Sequence, residues 1–362
     1  MQNLDRPLFF TFAGLLLFGL GSLYSASSTE AVKLTGDPYH FVVHQLLWAV
    51  IGIGVAALVV RVDVHRWEAA ALPLFFLCLI LLVLVLIPGV GVEVNAAQRW
   101  LQVGSFRFQP AEAAKVAMVL LLARTLSRDP ARLERFGGGL APQLGLTAVM
   151  VVLVLMERDL GNAVVIALVT LVMLFLGGAR LRHLGAIVLA CCPLGVLAIA
   201  AEPYRIRRVF TYLHPWDDPA GGGWQITQSL MAIGSGGLFG TGVGAGVQKR
   251  VFLPAPHTDF IFSVVGEEVG LMGTLLLVSL FLLLVWRGVH IALRAPTPFA
   301  QLLAAGTTTM ITVQALLNMM VCTGMVPTKG LTLPFFSAGG SALVVDLVAA
   351  GFLLATSRWV AE

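Results

Sequence analysis

Ten long apolar runs constrain this chain more than any other feature. They lie near residues 8–27, 41–60, 70–88, 110–126, 141–156, 162–178, 183–201, 260–286, 300–322 and 338–357. A helix needs about 20 apolar residues to cross roughly 30 Å of hydrocarbon, and most of these runs come close to that. Backbone groups in lipid must bond within their own segment, so each run is expected to be a helix. Composition points the same way. The 362 residues are 58% hydrophobic and only 12% charged, with mean hydropathy +0.91. Ordinary globular domains carry roughly 25% charged residues. A soluble enzyme, a disordered protein and a nucleic-acid reader are all excluded. The sequence pI near 9.1 does not bring nucleic acid back, because the net charge is only +4. The expected fold class is an all-α polytopic membrane protein with about ten transmembrane helices, forming a single domain over 1–362.

Lys and Arg are spread unevenly between the runs, and this sets orientation. With the N-terminus inside, the inner segments hold Arg6, Arg61, Arg66, Arg124, Arg128, Arg132, Arg135, Arg180, Arg182, Arg287, Arg294 and Arg358. The short outer segments hold only Lys33, Arg99, Arg107, Arg158 and Lys329. Ten spans then put both termini in the cytoplasm. The longest connection, about 202–259, becomes an extracytoplasmic loop between helices 7 and 8. It is too long to be idle in a compact protein. Residues 224–233 read as a short amphipathic helix lying at the interface. Ser25-Ala26-Ser27 resembles a signal cleavage site, but the apolar stretch before it is too long, so a retained helix is expected. Cys78, Cys191, Cys192 and Cys322 all lie in apolar runs, and neither a disulfide framework nor a zinc site is expected. The two halves show no convincing repeat, which gives no support to an inverted-repeat transporter.

In so apolar a chain, each charge in or beside a span needs a reason. Pro110 suits the first helical position. Glu112 and Lys115 follow at i and i+3 on one face. They read either as the charged wall of a cavity or as an internal ion pair locking the bundle. Asp259 stands where the long loop enters a span, and Ser263 and Glu267 follow at i+4 and i+8. Asp259 is the strongest candidate for a general base, since partial burial raises a carboxyl toward neutral pH. The alternative is a helix N-cap. Glu268 points nearly opposite Glu267. Asp159 lies in a tight turn beside Gly161 and also reads as a cap or turn residue.

Lys329 lies between Pro327 and Pro334, in a stretch too irregular to be one helix. Irregular backbone at membrane depth is tolerated where it lines a cavity. A lysine there suits an anionic ligand; the alternative is snorkelling. Ser337 closes this stretch, and Gly339-Gly340-Ser341 opens the last helix, whose N–H groups could also receive an anion. Arg205, Arg207 and Arg208 could hold a pyrophosphate or contact lipid headgroups. The Gly-rich segment 234–246 matches neither a dinucleotide fingerprint nor a P-loop, and reads as a flexible or closely packed loop.

Taken together these residues resemble the SEDS family (shape, elongation, division and sporulation) of bacterial peptidoglycan glycosyltransferases, over nearly the whole chain. The motifs are Ser25-Ala26-Ser27, Arg99-Trp100-Leu101, Phe108-Gln109-Pro110-Ala111-Glu112 with Lys115, and Asp159-Leu160-Gly161. They continue with Glu202 to Arg208, Gln225 to Ala232, His257-Thr258-Asp259-Phe260-Ile261-Phe262, Gly266-Glu267-Glu268 and Pro327 to Pro334. The last stretch resembles the division branch more than the elongation branch. Two positions depart from the family pattern: Ala338, where a Tyr is usual, and Ala96, where a Gly is frequent.

The resemblance implies polymerisation of lipid II at the outer face of the cytoplasmic membrane, with inversion and release of undecaprenyl pyrophosphate. It places the family's essential aspartate at Asp259. It implies a substrate cavity lined by Glu112, Lys115, Asp159, Glu267 and Lys329, to which Arg205, Arg208 and Ser337 are added as candidate substrate-binding residues. It fixes no cofactor; a divalent cation, magnesium or manganese, could help, and no residue pattern demands one. The implied partners are a class B penicillin-binding protein that crosslinks the strands, other membrane proteins of the division complex, and membrane lipids. A lipid II flippase, an elongation-type polymerase and a non-catalytic division scaffold are the competing classes.

Overall fold

The structure is a computed structural model of the chain. It describes residues 4–94, 97–104, 106–129, 133, 135–200, 203–219, 221–251, 253, 255–328 and 330–360. The side chains at 94, 103, 194, 197–199, 203–205, 207–208 and 250–251 fall outside that description.

All ten apolar runs are helices. Seven are long and apolar enough to cross a membrane. They are α1 (Arg6–Thr35), α2 (His40–Arg61), α3 (Val64–Leu86), α5 (Ala141–Met156, with the π-turn Phe136–Leu140 before it), α11 (Ile261–Arg294), α12 (Pro298–Cys322) and α13 (Gly340–Val360). The other three are α4 (Pro110–Arg128), α6 (Leu160–Leu176) and α7 (Leu181–Ala200). α4 is the least apolar of these, because it carries Glu112, Lys115, Arg124 and Arg128. The long connection contains α8 (Pro203–Leu213), α9 (Trp224–Ser235) and α10 (Gln248–Val251).

The helix starts follow capping chemistry. The Asp5 carboxylate accepts from Leu8 N at 2.8 Å, and Asp63 accepts from His65 N at 2.7 Å. Thr297 Oγ1 accepts from Ala300 N at 3.2 Å, with Pro298 in the first turn. Each cap satisfies a backbone donor that the first helical turn leaves open. α1 ends where Gly36 takes φ 76°. It runs further than the apolar stretch 8–27, since Ser28 to Thr35 continue the helix beyond the hydrocarbon-length segment.

α4, α12 and α13 form the core. α4 packs between α3, α6 and α12, and α13 lies along α2. Small residues allow the close approaches: a Cβ at Gly306 would meet Met173, and one at Gly52 would meet Leu347. Close backbone approach of this kind drives helix association in lipid, where apolar surface alone does not. At one end, Arg287 pairs with Asp5 and ties α11 to the start of α1.

Three features were not expected. Three short strands form an antiparallel sheet, β1 (Gly91–Val94), β2 (Ala97–Val103) and β3 (Phe106–Phe108), in that order. Strands this short give little periodic signal. Next, α9 does not lie at the interface with its polar face outward. Thr227, Gln228 and Ser229 are buried along with Ile226 and Ala232, and Ser229 Oγ donates to the carbonyl of Cys322 at 2.7 Å. A polar face finds protein partners here, so it turns inward.

Finally, α11 is broken at Gly270 (φ 69°, ψ −159°). Leu271 N and Met272 N bond the carbonyls of Gly237 and Leu238 at 2.9 and 3.1 Å. The carbonyls of Glu267 and Glu268 accept from Thr241 N and Gly242 N at 2.9 and 3.1 Å. The Gly-rich loop thus takes the four bonding positions that the break would leave open. At Gly236 and Gly240 its backbone packs closely against the break, as one of the two sequence alternatives had it, while Leu238, Phe239 and Val243 stay exposed.

Candidate functional site

The polar residues gather at the end of the bundle formed by the starts of α4, α6, α11 and α13 and the end of α12. In α4, Lys115 Nζ lies 2.8 Å from Glu112 Oε2, with both side chains almost wholly buried. Glu112 Oε1 accepts from Asn162 Nδ2 at 3.2 Å. The same amide donates to Asp159 Oδ2 at 2.9 Å, and Gln109 Nε2 donates to that oxygen at 2.8 Å. Asp159 also caps α6, accepting from Asn162 N at 3.1 Å. It is therefore a cap and a member of the polar cluster at once. Glu112 and Lys115 form the internal ion pair, which faces other polar groups and not an open wall. Across the cluster, Lys115 Nζ donates to Gln314 Oε1 at 2.5 Å, and Gln314 Nε2 donates to the carbonyl and hydroxyl of Thr332, both at 3.1 Å.

Asp259 is half-buried, in the turn just before α11. Phe260, not Asp259, occupies the N-cap position, and no side chain caps the helix there. Asp259 thus stands one residue before the N-cap position that the sequence alternative gave it. The backbone of this turn is held tightly. The Asp259 carbonyl accepts from Asn318 Nδ2 at 2.9 Å and from Cys322 Sγ at 3.4 Å. Ser337 Oγ donates to the Thr258 carbonyl at 2.5 Å and accepts from Leu333 N at 2.8 Å. Ala338 N donates to the His257 carbonyl at 2.8 Å, so the departure from the family pattern there leaves the loop bonded. A Cβ on Gly330 would sit 3.5 Å from Asp259 Oδ2, which places the carboxylate against the irregular stretch carrying Lys329.

The stripe read as Asp259, Ser263 and Glu267 is not one cavity-facing row. Asp259 precedes the helix, so helical spacing does not apply to it. Ser263 Oγ pairs with Ser229 Oγ at 2.6 Å. Glu267 Oε1 accepts from Val247 N and Gln248 N at 2.6 and 2.9 Å, which caps α10. Glu268 does point elsewhere. It pairs with Lys249 and accepts from Ser25 Oγ at 2.8 and 2.6 Å, tying α1 and α10 to α11. Ser337 and Glu267 are thus committed within the protein, holding the segments beside Asp259. At the start of the last helix, the Gly339 amide is taken by Gln45 Oε1 at 3.2 Å. Lys329 and Ala96, and the side chains of Arg205, Arg207 and Arg208, lie outside the described residues.

Two groups in the connections have shifted titration. Burial pushes the Glu157 carboxyl up to about 8, with the charge of Asp159 adding and that of Arg99 subtracting. Burial holds the His257 imidazole below its ordinary value, against the pull of Glu30, 3.2 Å away. Sequence reasoning missed Gln109, Asn162, Gln314, Asn318 and Asp346. Asp346 is 2% exposed in α13 and accepts from Phe335 N at 3.4 Å. An acid inside an apolar run was a signal of the same kind as Glu112 and could have been read. Amides give a weaker one.

The family model for cell cycle proteins of the FtsW, RodA and SpoVE type matches residues 6–361. The chain belongs to this family. Among FtsW/RodA/SpoVE relatives, it is 42% identical to the probable peptidoglycan glycosyltransferase FtsW of Geobacter metallireducens, over 99% of this chain and 95% of the relative. It is also 42% identical to stage V sporulation protein E of Bacillus subtilis, over 95% and 94%. Its fold matches a chain solved in work on coordination of polymerization and crosslinking by a peptidoglycan synthase complex, with TM-score 0.83, 33% identity and coverage of 99% and 98%. It matches the rod shape determining protein RodA of Thermus thermophilus with TM-score 0.73, 32% identity and coverage of 99% and 97%. A polytopic, membrane-embedded fold follows from the family and the apolar helices together.

Proposed function

We propose that this chain is a peptidoglycan glycosyltransferase that polymerises lipid II, acting in septal wall synthesis during cell division. The observation that carries the chemistry is the half-buried Asp259 carboxylate, on a backbone pinned by Asn318, Cys322 and Ser337 and set against Gly330. A fixed carboxylate beside a cationic stretch suits removal of a proton next to a leaving pyrophosphate. Asp259 accepts the proton of the acceptor sugar 4-hydroxyl. That oxygen bonds to the donor anomeric carbon as the bond from this carbon to pyrophosphate breaks. The donor is α-linked and the product β-linked, so one displacement suffices, with undecaprenyl pyrophosphate leaving.

Lys115 spends its charge on Glu112 and Gln314, so leaving-group stabilisation falls to Lys329 with Arg205 and Arg208. Glu112, Lys115 and Asp159 form a buried polar floor, and Glu267 and Ser337 brace the flanking loops. Among the described residues no group of three or more His, Cys, Asp or Glu could hold a metal ion. A magnesium or manganese ion would be held chiefly by the substrate pyrophosphate.

The active site faces outward and both termini are cytoplasmic. The partner is a class B penicillin-binding protein, alongside other division-complex membrane proteins and bilayer lipids. FtsW relatives at 42% identity support the division duty over elongation. A flippase needs polar groups along a path through the bundle. The opposite end instead holds a mostly apolar cavity of about 540 Å³ between the ends of α4, α6 and α11 and the start of α12, whose polar lining is neutral: Ser127, Gln301, Thr308, Thr309 and Thr312.

The test is lipid II polymerisation in detergent by the purified chain, with and without the transpeptidase. Asp259→Asn is expected to abolish strand synthesis while folding normally. Lys329→Ala is expected to raise the lipid II KM. Full activity of folded Asp259→Asn would remove Asp259 as base, and an unchanged KM and rate for Lys329→Ala would remove the phosphate role.

A further inference from the structure

Gln314 and Asn318 lie one turn apart on α12, on the same face, and each is 1% exposed. Polar side chains inside a span are costly unless bonded, so what they bond identifies their use. Asn318 Nδ2 donates to the Asp259 carbonyl at 2.9 Å and to the Leu331 carbonyl at 2.7 Å. Gln314 Nε2 holds Thr332 at 3.1 Å, while its Oε1 receives Lys115 Nζ at 2.5 Å. Consecutive residues 331 and 332 are thus gripped from one helix face. The same two amides reach the backbone of Asp259 on one side and the Lys115–Glu112 pair on the other. Leu331 and Thr332 follow directly on Gly330, the residue against which the Asp259 carboxylate lies.

We propose that Gln314 and Asn318 are positioning residues for glycosyl transfer. They make α12 a backboard that fixes the separation between the Asp259 carboxylate and the stretch Pro327–Pro334. Neither touches substrate. Asn318 acts through Asp259, and Gln314 acts through Thr332 and Lys115. The two should therefore affect different kinetic constants. A carboxylate misplaced by about 1 Å loses on the order of 100-fold in rate. A loosened phosphate-side stretch weakens donor binding first. This proposal rests on the assignment of Asp259 as base.

The experiment measures lipid II polymerisation by the full chain with its transpeptidase, across lipid II concentration, with folded fraction and melting temperature for every variant. Asn318→Leu is expected to lower kcat about 10- to 100-fold, with KM within about twofold. Asn318→Gln keeps the donor amide and is expected to recover most of that loss. Gln314→Leu is expected to raise KM about fivefold or more, with kcat within about threefold. Should Asn318→Leu not fold, Asn318→Asp replaces it, since it keeps the size and removes the donor.

The proposal is overturned if activity falls only in proportion to folded fraction. It is also overturned if both positions change the same constant, or if Asn318→Gln does no better than Asn318→Leu. Retained activity in Asp259→Asn, or an inactive wild type, would overturn it together with the assignment beneath it. Those two outcomes appear in arms separate from the Asn318 and Gln314 comparisons.

Discussion

Lys115 is tolerated inside α4 because Glu112 sits one turn before it, 2.8 Å away, and Gln314 takes another of its hydrogens. Removing one partner of such a buried pair leaves an uncompensated charge, whereas removing both does not. Lys115→Met is expected to cost about 3–5 kcal/mol of stability. The double variant Glu112→Gln, Lys115→Met should recover most of that loss without restoring polymerisation. Thermal unfolding in detergent checks this, and equal losses in the single and double variants would refute it. Glu157 is the opposite case. Its carboxyl titrates near 8 in the fold, against an ordinary 4.5. The folded state therefore binds the extra proton between those values, and stability falls as pH rises through the window, levelling off above it. Glu157→Gln lacks that slope. Wild type should melt progressively lower than the variant as pH rises from about 5 to about 8. A constant difference across that range would contradict it.

At the scale of the element, the break in α11 is the structural fact with the widest reach. A membrane helix interrupted at Gly270 would leave backbone groups open, and the loop 237–242 takes them up. A Cβ at Gly270 would meet Gly240 N at 2.3 Å, in a backbone conformation that L side chains rarely adopt. Gly270→Ala is expected to cost about 3 kcal/mol or more, from strain and overpacking combined. It should also raise hydrogen exchange across 237–242. Unchanged melting and exchange would show that the loop does not depend on the break. The Gly-rich composition of 234–246 was plain in the sequence. Its insertion into a helix distant in the chain was not, because four backbone bonds leave no mark on side-chain pattern.

For the whole molecule, polarity is divided along the bundle. The Glu112, Asp159 and Asp259 clusters lie at one end, and the mostly apolar cavity near Leu126, Leu176 and Leu293 lies at the other, beside the Asp5–Arg287 pair. On the orientation proposed from the uneven Lys and Arg distribution, the end with Asp259 faces outside. A phosphatase reporter inserted near residues 217–219 should be active, and one fused after the last residue inactive. The reverse result would invert the orientation and remove the enzyme from its substrate's outer-face pool. The central packing of α4, α12 and α13 accounts for the buried polar groups that these helices carry, among them Glu112, Lys115, Gln314, Asn318 and Asp346.

Length, apolarity and charge scarcity determined the ten helices, their approximate limits and the positions where a charge demanded explanation. Those properties are local, and lipid enforces them on each segment separately. Glu112, Lys115, Asp159 and Asp259 were legible for the same reason, since ionisable groups beside spans are few. What each of them does was decided by tertiary contacts. Helical spacing put Asp259 in line with Ser263 and Glu267, yet the helix begins at Ile261, and Glu267 turns away to cap α10. Ser337 went behind the turn, not in front of it. Gln314 and Asn318 became the joint between two clusters, because neutral amides cost too little to stand out in a sequence but bond firmly once buried among carbonyls.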